Sequence, residues 1–172
     1  HGGIKSINAS SMEIETDLDT FKADAASVVP AQHAGSIAMA AGVTDGDWCP
    51  INPANMTAKA DPNIYVLGDA SVASSMPKSG FSANSQAKVA ANAIRGELTG
   101  SRVFKPRFAN TCWSLVATND GIKVGASYKA TEEKIAKVSG FVSKTGEDAA
   151  LRKKTYEESI GWYNGITADM FA

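Results

Sequence analysis

The sequence predicts an α/β fold that ends in a small α+β unit, and three observations lead to this prediction. The uninterrupted apolar run "IYVL" at residues 64–67 is typical of a strand buried on both faces of a parallel sheet. An alanine-rich segment with helical spacing follows it. After Gly100 the pattern changes to short strand-like segments separated by turn residues.

The composition is that of a globular protein, with 44% hydrophobic and 20% charged residues among 172. The 17 Lys and Arg residues against 18 Asp and Glu give a net charge of −1 without a basic stripe, so nucleic acid is not an expected partner. The sequence contains no run of about 18 apolar residues, so it predicts no membrane span. Cys49 and Cys112 form neither CxxC nor CxxCH, and His1 and His33 have no ligand partners at metal spacing. We therefore expect no metal site, and no haem attached to this chain.

The amino-terminal segment has the pattern of short strands. "IKSINA" and "MEIET" predict a small antiparallel meander, and "FKADAASVVP" predicts a further strand that enters a core. The small residues of "HAGSIAMAAGV" predict a helical turn that stops at Gly42.

The central and carboxyl-terminal elements follow from turn residues and periodicity. A strand over residues 64–67 should be followed by a helix from about Ala83 to Leu98, with Ser82 as its N-cap. Three short strands after Gly100 should be joined by an Asn-Asp-Gly turn and a charged turn. One helix from about Asp148 to Ile160 and an aromatic tail should complete the chain.

The end of the predicted central strand has the features of a ligand site. Gly68 allows close approach to the backbone, and Asp69 can accept hydrogen bonds from sugar or polyol hydroxyls. Pro77 and Lys78 precede a helix whose amino-terminal N–H groups would stabilise a ligand atom that gains negative charge. Alternatively, Asp69 caps the next turn and "PKSG" is an ordinary loop.

The stretch "IYVLGDASVASSMPKSG" resembles the second flavin-binding sequence of flavoproteins with two dinucleotide-binding domains. Three further segments are more specific: "MPKSGFSANSQAKVAANAI", "NTCWSLVATNDGIKVGASY" and "YEESIGWYNGITADMF". With these, nearly the whole chain resembles the flavoprotein subunit of flavocytochrome c sulfide dehydrogenase, specifically its carboxyl-terminal portion. The resemblance implies part of a Rossmann-like FAD domain followed by an α+β interface domain.

The resemblance also implies roles for individual residues. Gly68 and Asp69 would bind the ribityl chain of FAD. The loop of Pro77, Lys78, Ser79 and Gly80 and the helix after it would face the pyrimidine side of the flavin ring. No GxGxxG motif occurs here, so we expect the adenine and pyrophosphate end of FAD to have no site on this chain, and the chain alone to be inactive.

Cys112 matches one member of the family's redox-active cysteine pair, and the other member would lie in the missing amino-terminal half of the flavoprotein. Without the resemblance, Cys112 reads as a buried structural cysteine. Cys49 matches no redox motif and we interpret it as structural, although a Cys49–Cys112 disulfide is an alternative. The resemblance places Trp162 near the flavin; the alternative is that it anchors the terminal segment.

The predicted organisation has three parts: residues 1–34 end a second dinucleotide-like domain, 35–100 complete the FAD domain, and 101–172 form the interface domain. The resemblance implies a periplasmic enzyme that oxidises sulfide and passes electrons through FAD to a c-type cytochrome subunit carrying the haem. One alternative is a quinone- or NAD(P)-linked disulfide oxidoreductase of the same flavin fold. Another is a non-catalytic fragment or interaction module.

Overall fold

The computed structural model describes residues 3–171, and the chain divides into two compact units, His1–His33 and Ala34–Ala172. The first unit contains a three-stranded antiparallel sheet of β1 (Ile4–Asn8), β2 (Glu13–Thr16) and β3 (Thr20–Lys22). This confirms the predicted meander. The predicted strand that continues into a core is wrong, because residues 23–30 form neither helix nor strand and Val29 is 78% exposed. Asp24 and Pro30 disfavour a strand there, because Asp has a low strand propensity and Pro lacks the N–H that pairing with a neighbouring strand needs.

The second unit contains three helices, a 3₁₀ turn and two small sheets within the described residues. Its elements in chain order are α1 (Ser36–Ala40), β4 (Cys49–Pro50), the 3₁₀ turn (Gly68–Ala70), β5 (Ser71–Val72), α2 (Gly80–Thr99), β6 (Arg107–Ala117), β7 (Asp120–Ala130), β8 (Ile135–Val142) and α3 (Ala149–Phe171). Strands β4 and β5 pair in parallel, whereas β6, β7 and β8 form an antiparallel sheet in that order. The predicted helical turn at residues 36–40 is confirmed, and Gly42 follows it with a φ of +68°.

The predicted central strand over residues 64–67 is not formed. This segment makes one antiparallel bridge, between Tyr65 and Thr57, while Ile64 and Val66 pack against the buried cluster around Cys49. An apolar run indicates burial, but a strand also needs a neighbouring backbone to complete its ladder. Among the described residues, the backbone pairing of this segment consists of the single bridge between Tyr65 and Thr57. The structure is therefore a mixed α/β fold with small sheets, and the Rossmann-like sheet stays a prediction.

Helix α2 confirms the predicted helix but begins three residues earlier. Ser79, not Ser82, is the N-cap: its hydroxyl accepts a hydrogen bond from the Ser82 amide at 3.2 Å. Gly100 ends the helix in the left-handed region with a φ of +66°, which glycine adopts without steric cost.

The carboxyl-terminal elements confirm the three predicted strands and correct the last helix. A two-residue turn joins β6 to β7, with Asn119 at a φ of +60°. Helix α3 runs to Phe171, so the predicted aromatic tail is helical. The two glycines of this tail lower helix propensity, but Trp162 lies between them and packs against α2, which favours a continuous helix.

The main hydrophobic core joins α2 to the sheet of β6, β7 and β8. It also includes side chains from residues 51–76, so the loop that carries Gly68 and Asp69 is packed against the same helix and sheet. Its buried members are Ile51, Met56, Ala73, Met76, Val89, Ala90, Phe108, Ala126, Tyr128 and Ile135.

Candidate functional site

The Gly68–Asp69 turn is held by α2. Gly68 has a φ of +70°, and its amide donates a 2.7 Å hydrogen bond to Oε1 of Gln86, which is 1% exposed. The Ser71 hydroxyl donates to the Gly68 carbonyl at 2.8 Å. A side chain at residue 68 would have to adopt a conformation that L residues rarely adopt, so glycine is favoured here.

The Asp69 carboxylate is exposed at this turn. Within residues 3–171 it accepts no hydrogen bond and forms no ion pair. Its oxygens are therefore free to accept hydrogen bonds, and the predicted contact with a hydroxyl-bearing ligand stays a prediction. The alternative that Asp69 caps the next turn finds no support, because its side chain accepts no backbone amide in the described chain.

Lys78 contacts its own loop. Its Nζ donates to the carbonyl oxygens of Asp69 and Ser71 and lies 3.6 Å from the centre of the Trp48 ring. Partial burial of the ammonium lowers the pKa of Lys78, and the charge of Asp69 opposes that shift. The side chain thereby ties the Gly-Asp turn to the segment before α2, and its predicted contact with flavin stays a prediction.

Cys49 lies beside this lysine with no exposed surface. Burial raises the pKa of the Cys49 thiol, and the positive charge of Lys78 opposes the rise. A buried, neutral thiol on a short strand suits the structural role that we predicted from the sequence.

The amino terminus of α2 presents unpaired donors. The hydroxyl and carbonyl of Ser79 accept hydrogen bonds from the amides of Ser82 and Ala83. The amides of Gly80 and Phe81 have no acceptor among the described residues. These two donors, together with the helix dipole, favour an electron-rich ligand atom at this end.

Three aromatic rings pack together next to these donors. Phe81 lies 5.6 Å from Trp162 and 5.9 Å from Trp113, measured between ring centroids, and the two tryptophans are 5.8 Å apart. The indole Nε1 of Trp113 is buried without a hydrogen-bond partner in the described chain. A buried donor without an acceptor costs about 1–3 kcal/mol, so this nitrogen marks a place where an acceptor would be stabilised.

Cys112 lies on β6 with its side chain exposed, and both cysteines are free. The alternative Cys49–Cys112 disulfide is therefore not formed. Cys112 is also not in the buried position that we would expect of a structural cysteine. Cys112 is opposite Val124, which is opposite Val142 on β8, and both valines are at least half exposed. The Asn110 Nδ2 lies 3.5 Å from the Cys112 sulfur.

Tyr128 is a buried neighbour of Cys112. Burial raises the pKa of its phenol, and negative charge at Cys112 raises it further. The sequence reasoning missed Tyr128, Asn110 and Gln86. The signal for Asn110 was available, since Asn110 is two positions before Cys112 on a predicted strand and shares its face.

No group of three or more His, Cys, Asp or Glu side chains suited to a metal ion occurs in residues 3–171. None of the helices in that range has the length and apolar character needed to cross a membrane.

Part of the chain matches a known protein family. The model of "Flavocytochrome c sulphide dehydrogenase, flavin-binding" matches residues 104–171, about two-fifths of the chain. The matched segment contains β6, β7, β8 and α3, and with them Cys112, Trp113 and Trp162.

The match gives FAD as the cofactor. The residues at the site fit it: the exposed Asp69 carboxylate suits polyol hydroxyls, and the amides of Gly80 and Phe81 suit electron-rich ring atoms. Residues 104–171 of this chain are therefore similar to the flavin-binding domain of flavocytochrome c sulphide dehydrogenase.

Proposed function

We propose that this chain is the flavin-proximal part of a periplasmic sulfide dehydrogenase that oxidises sulfide through a cysteine disulfide and FAD and passes electrons to a c-type cytochrome. The observation that carries this proposal is the exposed Cys112, which lies in the family-matched segment and is hydrogen-bonded through Asn110 to the amino-terminal end of α2. The name of the matched family, flavocytochrome, supports a cytochrome partner.

Gly68, Asp69 and the loop from Pro77 to Gly80 would hold FAD. The Asp69 carboxylate would accept hydrogen bonds from the ribityl hydroxyls, and the amides of Gly80 and Phe81 would donate to the pyrimidine side of the ring. Trp162 would form one wall, because it lies 4.0 Å from where a Cβ at Gly80 would be. When bound, FAD supplies an acceptor of two electrons that can be released one at a time.

Cys112 would react with sulfide as one half of a disulfide. Sulfide attacks the Cys112 disulfide, and a new S–S bond forms as the old one breaks. The sulfide sulfur is left as a persulfide, and the electron pair leaves on the other cysteine as a thiolate. The disulfide partner would come from outside this sequence, since Cys49 is fully buried.

Titration of this chain with FAD, and of the chain combined with the amino-terminal half of the flavoprotein, tests the proposal. We expect bound flavin to show its visible absorbance band, and sulfide to bleach it. Cys112→Ser should retain the flavin and lose the bleach, whereas Ser114→Ala, two positions further along the same strand, should retain both.

Three results would contradict the proposal. A combined protein that stays colourless with FAD would favour the non-catalytic interaction module. A bleach that survives Cys112→Ser unchanged would remove the redox role of Cys112. Reoxidation by quinone or NAD(P)⁺ in place of cytochrome c would favour the alternative disulfide oxidoreductases.

A further inference from the structure

A buried amide links the amino terminus of α2 to the exposed cysteine. Asn110 is 4% exposed, and its Oδ1 lies 2.5 Å from the Ser79 hydroxyl and 3.2 Å from the Ser82 hydroxyl. Its Nδ2 lies 3.5 Å from the Cys112 sulfur, whereas Oδ1 is 3.9 Å from that atom. The amide therefore faces the two serines with its oxygen and the cysteine with its nitrogen.

The hydrogen bonds of Ser79 determine this orientation. The Ser79 oxygen already accepts the Ser82 amide proton, and its single hydroxyl proton can then be donated to Asn110. An amide whose oxygen is bound in this way has only N–H groups left to turn towards a neighbour. The N-cap of α2 thus decides which end of the Asn110 amide meets the sulfur.

We propose that Asn110 is a positioning residue for Cys112, set by the Ser79 N-cap and presenting an N–H donor to the cysteine sulfur. This inference rests on the proposed redox function of Cys112. An N–H group can donate to a sulfur that carries negative charge, and the thiolate is the reactive form of a cysteine. The donor also holds the sulfur in one orientation. Residues 79 and 112 are far apart in sequence, yet a change in the cap alters the chemistry of the thiol.

Ser79→Asp and Ser79→Thr form a matched pair for testing this role. Both residues are good N-caps, so α2 keeps its start in each variant. Threonine keeps the hydroxyl proton that Asn110 accepts. Aspartate has only acceptor oxygens, so the Asn110 amide turns over to donate to it, and its oxygen then faces the Cys112 sulfur.

The measurement is the alkylation rate of each cysteine by iodoacetamide, read by peptide mass spectrometry in the 172-residue chain without flavin. We expect Ser79→Asp to slow alkylation of Cys112 about tenfold, because a hydrogen bond to a charged group is replaced by an unfavourable contact. Ser79→Thr should match the unsubstituted chain. Cys49, which is fully buried, reports in the same sample that the chain is folded.

Equal alkylation rates of Cys112 in the two variants, with Cys49 protected in both, would overturn the inference.

If Ser79→Asp exposes Cys49, a second measurement decides. In the ¹⁵N-labelled chain, Cys112→Ala should shift the side-chain amide resonances of Asn110 and leave those of Asn92 in place. Unchanged Asn110 resonances would overturn the inference as well. Neither measurement uses FAD or sulfide. A negative result here can therefore be told apart from a failure of the proposed function.

Discussion

Trp162 of α3 stacks on Phe81 in the first turn of α2, with ring centroids 5.6 Å apart and an angle of 16° between the ring planes. Phe81 opens the helix that would face the flavin, and Trp162 lies in the family-matched segment. This contact therefore joins the two parts of the candidate site.

We expect Trp162→Ala to lower the free energy of unfolding by about 1–3 kcal/mol, since it removes a half-buried ring and its stacking. Trp162→Phe should lose less than half of that amount. Tyr163→Ala is the matched control, because Tyr163 is the next residue and 61% exposed, and it should change stability by no more than about 0.5 kcal/mol. Denaturant unfolding measures all three. Equal losses for Trp162→Ala and Tyr163→Ala would contradict the structural role of the stack.

Gly121 on β7 allows α3 to approach the sheet. A Cβ at this position would lie 2.9 Å from the backbone nitrogen of Tyr156 and 3.1 Å from its Cα, so the helix would have to move. Gly121→Ala should therefore destabilise the chain by about 1–3 kcal/mol. Gly165→Ala is the opposite case, because nothing lies within 4 Å of its Cβ position and the residue is inside α3. It should stabilise the chain by about 0.5–1 kcal/mol. Thermal unfolding of both variants checks the pair, and the prediction is wrong if the two melting temperatures move in the same direction.

Tyr128 should make stability fall at high pH. Burial, followed by the charge of Cys112, raises the pKa of its phenol above the ordinary value of 10.0, so the folded chain holds the proton more tightly than the unfolded chain does. This contribution is fully present below pH 10.0 and is lost as the pH rises from there through the folded-state pKa. The unfolding free energy of the natural chain, measured from below to above that range, should fall more steeply than that of Tyr128→Phe. Parallel curves would show that the phenol does not contribute.

Lys78 should stabilise the loop between the Gly-Asp turn and α2. Lys78→Met removes two hydrogen bonds to carbonyl groups and the contact with the Trp48 ring, and we expect a loss of about 1 kcal/mol. Limited proteolysis should then cut residues 69–79 faster. Lys88→Met is the control, because the Lys88 side chain is 66% exposed and its ion pair with Asp169 lies at the surface. Cleavage of residues 69–79 at the natural rate in Lys78→Met would contradict this role.

Prediction from the sequence succeeded where the signal lies within a few neighbouring residues. The Asn-Asp-Gly sequence, whose Asn119 lies in the turn between β6 and β7, and the alanine spacing of α2 are local patterns of this kind, and the hairpin and the helix are both formed. The resemblance to flavocytochrome c sulfide dehydrogenase is confirmed by the family match over residues 104–171. The roles assigned to Gly68, Asp69 and the loop from Pro77 to Gly80 stay predictions.

Prediction failed where a partner distant in sequence decides the outcome. The apolar run at residues 64–67 indicates burial, but its neighbour determines whether a strand forms, and one bridge to Thr57 is all that the described residues provide. Helix α3 continues past the predicted end because Trp162 meets Phe81 on another helix.

The sequence by itself determined most local elements, the similarity of residues 104–171 to a flavin-binding family and the presence of a candidate cysteine, because turn residues, helical spacing and motifs lie in adjacent positions. Only the tertiary structure decided that Asn110 joins the Ser79 cap of α2 to Cys112, and that Lys78 binds the backbone at Asp69 and Ser71. The physical reason is that hydrogen-bond direction and burial depend on groups that folding brings together from distant positions.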